Sequence, residues 1–414
     1  MNFQTRREAV LSKMEKGSLA ILYSGIELHV SADEYARFEA NRNFFYLTGL
    51  RRENMALLID NAVEPAEMLL FIEKADETMV RWTGKRVCVE EAKAVSGLEK
   101  VQFMDSLEAV LDRKLDREDV CAVYFDTYRH SFGDLPDYNN VKAKEFALAH
   151  PGTRVRNLFP LVAAERMRKD EDEVKVIREA IDMTRLGLEN VMRNLTPGRM
   201  EYQAQADFEY SIFSQGADGP AFATIAGSGS NGTMLHYETN REECADGSLL
   251  LLDLGARVKG YNADITRTYP VNGKFTDRQK KVYDIVLAAN QKVASEAKPG
   301  MTLVELNDIC KKVLADGLIQ LGLISKEEEI SKYYMHNVSH HLGIDVHDVT
   351  VAANAKLQPG AVITDEPGLY IDEWEIGIRI EDDLLITEDG AEVLSADIIR
   401  TTQDIEEFMK TCKE

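Results

Sequence analysis

No stretch of this chain is apolar enough to cross a membrane as a helix. Strictly apolar runs are short, as at Leu249–Leu252 and Ala56–Ile59, against the roughly 18 residues that a span needs. Positive charge is also scarce. Against 71 Asp+Glu stand 49 Lys+Arg, a formal net charge of −22. A phosphate-binding face needs cations that release counterions, and a polybasic membrane anchor needs them equally. Neither nucleic acid nor a membrane surface is therefore an expected partner. Cysteine is sparse, at positions 88, 121, 244, 310 and 412, with no CxxC spacing. That excludes a thiolate metal site or a disulfide framework and predicts free thiols in a reducing compartment. Met1 to Lys13 is polar and lacks the apolar core of a secretory signal, so a cytoplasmic location is expected. What is present is ordinary for a globular protein, 44% hydrophobic and 29% charged residues, which excludes general disorder.

The pattern predicts an α/β (α+β) chain of two domains. Residues 1–168 read as mixed α/β, with buried strands at Leu19–Tyr23, Met55–Ile59 and Met68–Ile72 between amphipathic stretches. His130 and His150 are read there as surface residues. A charged segment near Arg166–Glu173 opens the second domain, 169–414, with Val174, Ile177, Ile181, Leu186 and Leu188 near helical spacing. A helical region (171–216) then precedes a strand-rich one (248–270), and the order repeats (276–322, then 361–387). Thr276 with Gln279 reads as a helix-starting capping box. The repeated order suggests internal duplication.

Each strand-rich region carries acids. The first, "SLLLLDLGARVKGYNADITRTYP", reads as a hairpin turning near Val258–Lys259, with Asp253 and Asp264 roughly opposite each other on neighbouring strands. Asp253 follows four leucines, which argues against an exposed position. The second, "AVITDEPGLYIDEWEIGIRIEDDLLIT", turns around Glu373–Glu375 and brings Glu366 toward Glu381. Close buried carboxylates must share a proton or hold a cation. Four of them converging carry −4, which two divalent cations would cancel.

Histidines cluster nearby. Four fall in the twelve residues "HNVSHHLGIDVH", and His236 lies upstream; histidine is the usual metal ligand and general acid/base near neutral pH. His336 and His340 are four apart, but Asn337 stands where a helical HExxH zinc site needs Glu, which excludes that class. Gly227–Gly232 matches GxGxxG, yet no helical stripe follows it, so dinucleotide binding is rejected.

Together these residues resemble the metal-dependent pita-bread peptidases, the group of methionine aminopeptidase, prolidase and aminopeptidase P. The likeness covers nearly the whole chain through "HYETN", "LLDLGARVKGYNADITRTYP", "SHHLGIDVHD", "DEPGLY" and "GIRIEDD". The segment "SADEYARFEANRNFFYLTGL" resembles the N-terminal domain of aminopeptidase P and prolidase. The resemblance implies an N-terminal aminopeptidase P/creatinase-like domain, then a pita-bread catalytic domain. It implies five metal ligands, Asp253, Asp264, His340, Glu366 and Glu381, with Asp264 and Glu381 bridging two ions and a water between the ions as nucleophile. Glu366 would accept the proton from that water. His236 and His347 would contact substrate and stabilise the tetrahedral intermediate, with His336 beside them. Arg379, which shares a strand face with Glu381, would hold Asp253 together with Tyr370. The oxygen-rich donor set suits Mn²⁺, with Co²⁺, Fe²⁺ or Zn²⁺ as alternatives.

The activity so implied is that of an Xaa-Pro aminopeptidase acting on peptides with proline in second position, as a homodimer or homotetramer. The rivals are an Xaa-Pro dipeptidase (prolidase), a metal-free creatinase-like enzyme, and a pseudo-peptidase that binds protein partners. Intact ligand positions weigh against the last two. The sequence departs from the family pattern at Asn337, where Gly is usual, and at Thr350, where Gly is frequent. Both departures are expected to reshape the pocket without removing a ligand.

Overall fold

The apolar runs of the first 166 residues form a six-stranded sheet in a computed structural model of the chain, which describes residues 1–352 and 354–412. Contacts divide the chain into two compact units, Met1–Arg166 and Met167–Glu414. In the first, Ser18–Tyr23 pairs antiparallel with Ala56–Asp60 and parallel with Ala122–Phe125. The sheet continues through Glu67–Ile72 to Val101–Phe103 on one side and to Arg154–Asn157 on the other. Leu19, Ile21, Leu58, Phe71, Val123 and Phe125 make its core with Phe146 from the helix Tyr138–Ala149. His130 is exposed and His150 half-buried.

The second unit begins with the α-helix Glu171–Asn194, started by a capping box of Asp170 and Glu173. Its buried stripe runs Val176, Ile177, Ala180, Ile181, Thr184, Leu188 and Val191. Leu186, expected on the core face, is instead 37% exposed. It lies two residues beyond Thr184, which puts it on the opposite side of a 3.6-residue turn. The partner helix Glu201–Ser214 packs against this one, and a hairpin follows. The helices Asp277–Glu296 and Leu303–Gln320 then repeat the order before a second hairpin. Thr276–Gln279 and Thr302–Glu305 cap them as boxes.

In the first hairpin Leu249–Leu254 pairs with Ile265–Pro270, and Ala256–Val258 with Tyr261–Asn262 in the same register. The turn is at Lys259–Gly260 rather than Val258–Lys259. Both residues have positive φ, 49° and 85°, as a two-residue type I′ turn requires. This shift moves the pairing. Asp253 stands opposite Thr266, so Asp264 is its diagonal neighbour on the same sheet face rather than its direct opposite.

In the second hairpin one register runs throughout. Val362–Asp365 pairs with Asp382–Ile386, and Gly368–Ile371 with Ile376–Arg379. Glu366 therefore lies opposite Glu381. The two hairpins are stitched together: the Glu381 backbone N–H donates to the Thr266 carbonyl at 3.0 Å, and Thr268 Oγ1 donates to the Arg379 carbonyl at 3.1 Å. Gly227 ends no βαβ unit. The strand Ile225–Ser228 runs into a 3₁₀ turn and then an irregular segment. Among the described residues no helix is long and apolar enough to cross a membrane.

Candidate metal centre

The fold brings Asp264, Glu381 and His340 together, with Glu366 beside His340 and Asp253 held by Arg379. Asp264 and Glu381 are buried at the abutting strand ends, and Asp253 is partly buried beside them. His340 arrives from a segment laid along the strand Val362–Asp365. The Thr364 N–H donates to the His340 carbonyl at 2.9 Å, and the Glu366 N–H to the Val338 carbonyl at 2.9 Å. Neither His336 nor His340 lies on a helix. One ligand atom each from Asp264, His340 and Glu381 lie within 4.8 Å of one another. His340 Nε2 is 3.4 Å from Asp264 Oδ2 and 3.6 Å from Glu366 Oε1.

One nitrogen of the imidazole is tied to the backbone. Its Nδ1–H donates to the His341 carbonyl at 3.0 Å. That partner selects the tautomer and leaves the Nε2 lone pair facing the carboxylates.

The acids are held away from ionisation. Burial, then Asp253, pushes the Asp264 carboxyl well above its usual range. Burial, then Asp264, does the same to Glu381. Burial raises Glu366 to about 7. Asp253 Oδ1 is buried with no hydrogen-bond partner. A crowded set of carboxyls with an orphaned oxygen and an imidazole lone pair fits divalent cations, which would supply the missing charge.

A directed chain of hydrogen bonds backs the acids. Arg379 donates to Asp253 Oδ2 at 2.6 Å, to Thr266 Oγ1 at 3.1 Å and to the Tyr370 hydroxyl at 2.9 Å. The Tyr370 hydroxyl in turn faces His336 Nε2 at 2.8 Å, and His336 Nδ1 faces the Asn337 carbonyl at 2.8 Å. These partners assign Nδ1–H to His336. Burial, then Arg379, lowers the ring to about 4, so it is neutral near pH 7.

His347 is exposed, its ring edge-on to His340 with centroids 4.3 Å apart. His236 is exposed on the segment after Ile225–Ser228 and close enough to influence the charge of His336. Asn337, one of the two departures, turns its side chain to Asn307 Nδ2 at 3.4 Å. Asn307 Oδ1 also accepts from the Tyr334 hydroxyl and the Val338 N–H, so this asparagine is tied to the helix Leu303–Gln320. The Thr350 hydroxyl donates to the Ala352 carbonyl.

Sequence reading overlooked several supports. Thr266 Oγ1 donates to Glu381 Oε2 at 2.6 Å, and Thr364 Oγ1 to Glu366 Oε1 at 3.5 Å. Each threonine lies two residues from a candidate ligand, so period-two spacing puts it on the ligand's face of the strand without naming its partner. Asp383 Oδ2 accepts from the Asp264 N–H, while Asp382 is bound by Arg267 and Arg400. Lys169 pairs with Asp348, next to His347, at 3.0 Å in a buried ion pair.

Comparison with known proteins follows the same lines. The model of metallopeptidase family M24 matches residues 175–388, and that of the aminopeptidase P N-terminal domain matches residues 3–124. The chain is 34% identical to the Xaa-Pro aminopeptidase of Escherichia coli (strain K12), with 100% of this chain and 98% of that protein covered. A Bacillus anthracis structure described as a candidate aminopeptidase P is 42% identical with TM-score 0.97, covering 99% of this chain and 98% of that one. Aminopeptidase P from E. coli with the inhibitor Pro-Leu is 32% identical with TM-score 0.90, covering 100% and 98%.

Proposed function

The chain belongs to metallopeptidase family M24, and from that premise we propose that it is a metal-dependent Xaa-Pro aminopeptidase, releasing the first residue of peptides with proline in second position. The observation that carries this reading is the full-length likeness to an Xaa-Pro aminopeptidase at 34% identity. That likeness favours it over the dipeptidase. We assign residues 1–168 to the aminopeptidase P-type N-terminal domain and 169–414 to catalysis.

Asp253, Asp264, His340, Glu366 and Glu381 would hold two divalent cations, with Mn²⁺ favoured by a donor set of four carboxylates and one imidazole. When bound, the cations would supply positive charge to the site and acidify water to a pKa near ~7. The residues of the chain do the rest. Glu366 takes the proton from the attacking water, the role the family likeness implies for it, with its Oε1 3.6 Å from His340 Nε2. Arg379 keeps Asp253 oriented through a 2.6 Å contact. His236 and His347, both exposed, contact the peptide and stabilise the oxyanion that develops at the attacked amide. His336, neutral and fixed between Tyr370 and Asn337, binds substrate beside them. We place the protein in the cytoplasm, as a homodimer or homotetramer.

The test is hydrolysis of Xaa-Pro-Xaa and Xaa-Pro peptides by metal-stripped protein reloaded with Mn²⁺. Release of the first residue from the tripeptide is expected. Cleavage of the dipeptide alone would make the protein a prolidase, and cleavage of neither would remove the Xaa-Pro reading.

A further inference from the structure

Glu201 is the first residue of the helix Glu201–Ser214, and its side chain is completely buried. Among the described residues no lysine or arginine bonds its carboxylate. Instead four neutral donors do. Oε1 accepts from the Ser228 N–H at 2.7 Å and from Asn231 Nδ2 at 3.0 Å. Oε2 accepts from the Tyr237 hydroxyl at 2.8 Å and from the Glu242 N–H at 2.9 Å. The positive end of the helix dipole and four hydrogen bonds together make a buried carboxylate tolerable without a cation.

The origin of the donors is informative. A carboxylate serving only its own helix would bond the free N–H groups of the first turn. All four donors here come from residues 228–242, the segment that carries His236. Between Met234 and Glu242 that segment forms neither helix nor strand. Tyr237, adjacent to His236, donates to Glu201 and packs on the cluster of Ile225, Leu251 and Tyr370. The Glu201 N–H donates to the Glu242 carbonyl at 3.0 Å, closing the far end.

We infer that Glu201 is a positioning residue that fixes the otherwise irregular His236 segment against the site through Ser228, Asn231, Tyr237 and Glu242. This rests on the substrate-side role assigned to His236. A glutamine at 201 keeps the shape but turns an amide N–H₂ toward the N–H of Glu242 or Ser228, and one end of the segment loses its anchor.

The experiment is a double-mutant cycle on the full-length, Mn²⁺-loaded protein with an Xaa-Pro-Xaa peptide. Glu201→Gln and the milder Tyr237→Phe are each measured alone and combined with His236→Ala, with metal content determined alongside. Glu201→Gln is expected to lower kcat/KM by about tenfold, with metal content unchanged. In the His236→Ala background the same change is expected to cost less than about twofold, because its route of action is gone. Tyr237→Phe follows the same pattern with a smaller loss. Equal losses in both backgrounds, or full activity of Glu201→Gln, would overturn the inference while leaving the Xaa-Pro reading intact. An active His236→Ala protein with unchanged kcat/KM would remove the role of His236 and the inference with it.

Discussion

Glu366 and Glu381 share a register between two strand ladders, and Asp264 reaches Glu381 from the neighbouring hairpin. Glu366→Gln keeps the shape and hydrogen bonding of the side chain but cannot accept a proton, and kcat is expected to fall by about 10²–10⁴-fold, the usual share of a general base. Steady-state assay at saturating Mn²⁺ checks this; unimpaired turnover would assign the proton elsewhere. Thr266→Ala leaves Glu381 Oε2 without its hydroxyl partner and removes the acceptor of Arg379 Nε. Unsatisfied buried groups of this kind cost about 1–3 kcal/mol each, measurable as a lowered denaturant midpoint. The acids could be read from the sequence because charged residues inside apolar strands have few structural explanations. Thr266, Thr364 and Glu201 could not be read so directly, because a threonine on a strand or a glutamate at a helix start has an ordinary explanation until its partners are seen.

Hairpins set the geometry at the next scale, and close backbone approach sets the hairpins. A Cβ at Gly255 would lie 1.8 Å from the Ala263 carbonyl oxygen, and one at Gly377 would lie 1.8 Å from the Gly232 carbonyl oxygen. Neither oxygen can swing away as a side chain could. Gly255→Ala should therefore destabilise by at least the about 1–3 kcal/mol typical of overpacking, and should loosen the Asp253–Asp264 pair with it. Gly152→Ala, which meets nothing within 4 Å, should stay within about 0.5 kcal/mol of the parent. Equal midpoints for the two variants in chemical unfolding would contradict this. Both hairpins were legible from alternation and turn residues, yet the first was read one residue early. Lys259–Gly260 supplies the paired positive φ of a type I′ turn, and that one-residue difference changes Asp264 from a directly opposed to a diagonal partner. The long helix was legible as an element, but a stripe including Leu186 ignored that Thr184 could be buried with its hydroxyl bonded to the Ala180 carbonyl.

For the whole molecule, the buried acids couple stability to pH and to metal. Glu366 titrates near 4.5 when unfolded and near about 7 in the fold, and Asp264 and Glu381 shift in the same direction. Without cations the folded chain then holds more protons than the unfolded chain in this window. The contribution of Glu366 to stability is fully present below pH 4.5 and is lost as pH rises through about 7. Cations bind the ionised carboxyls, so their stabilisation should grow over the same range. The gap in Tm between Mn²⁺-loaded and chelated protein is therefore expected to be wider at pH 8 than at pH 5; an equal or narrower gap at pH 8 would contradict the coupling.

Asp253, Asp264, His340, Glu366 and Glu381 are proposed to hold a pair of divalent ions. Metal analysis of the chain after equilibrium dialysis against Mn²⁺, beside the Asp264→Asn variant, tests it most directly. Two ions per chain are expected in the parent and fewer in the variant. A parent that retains one ion or none, or a variant that binds as many as the parent, would contradict it.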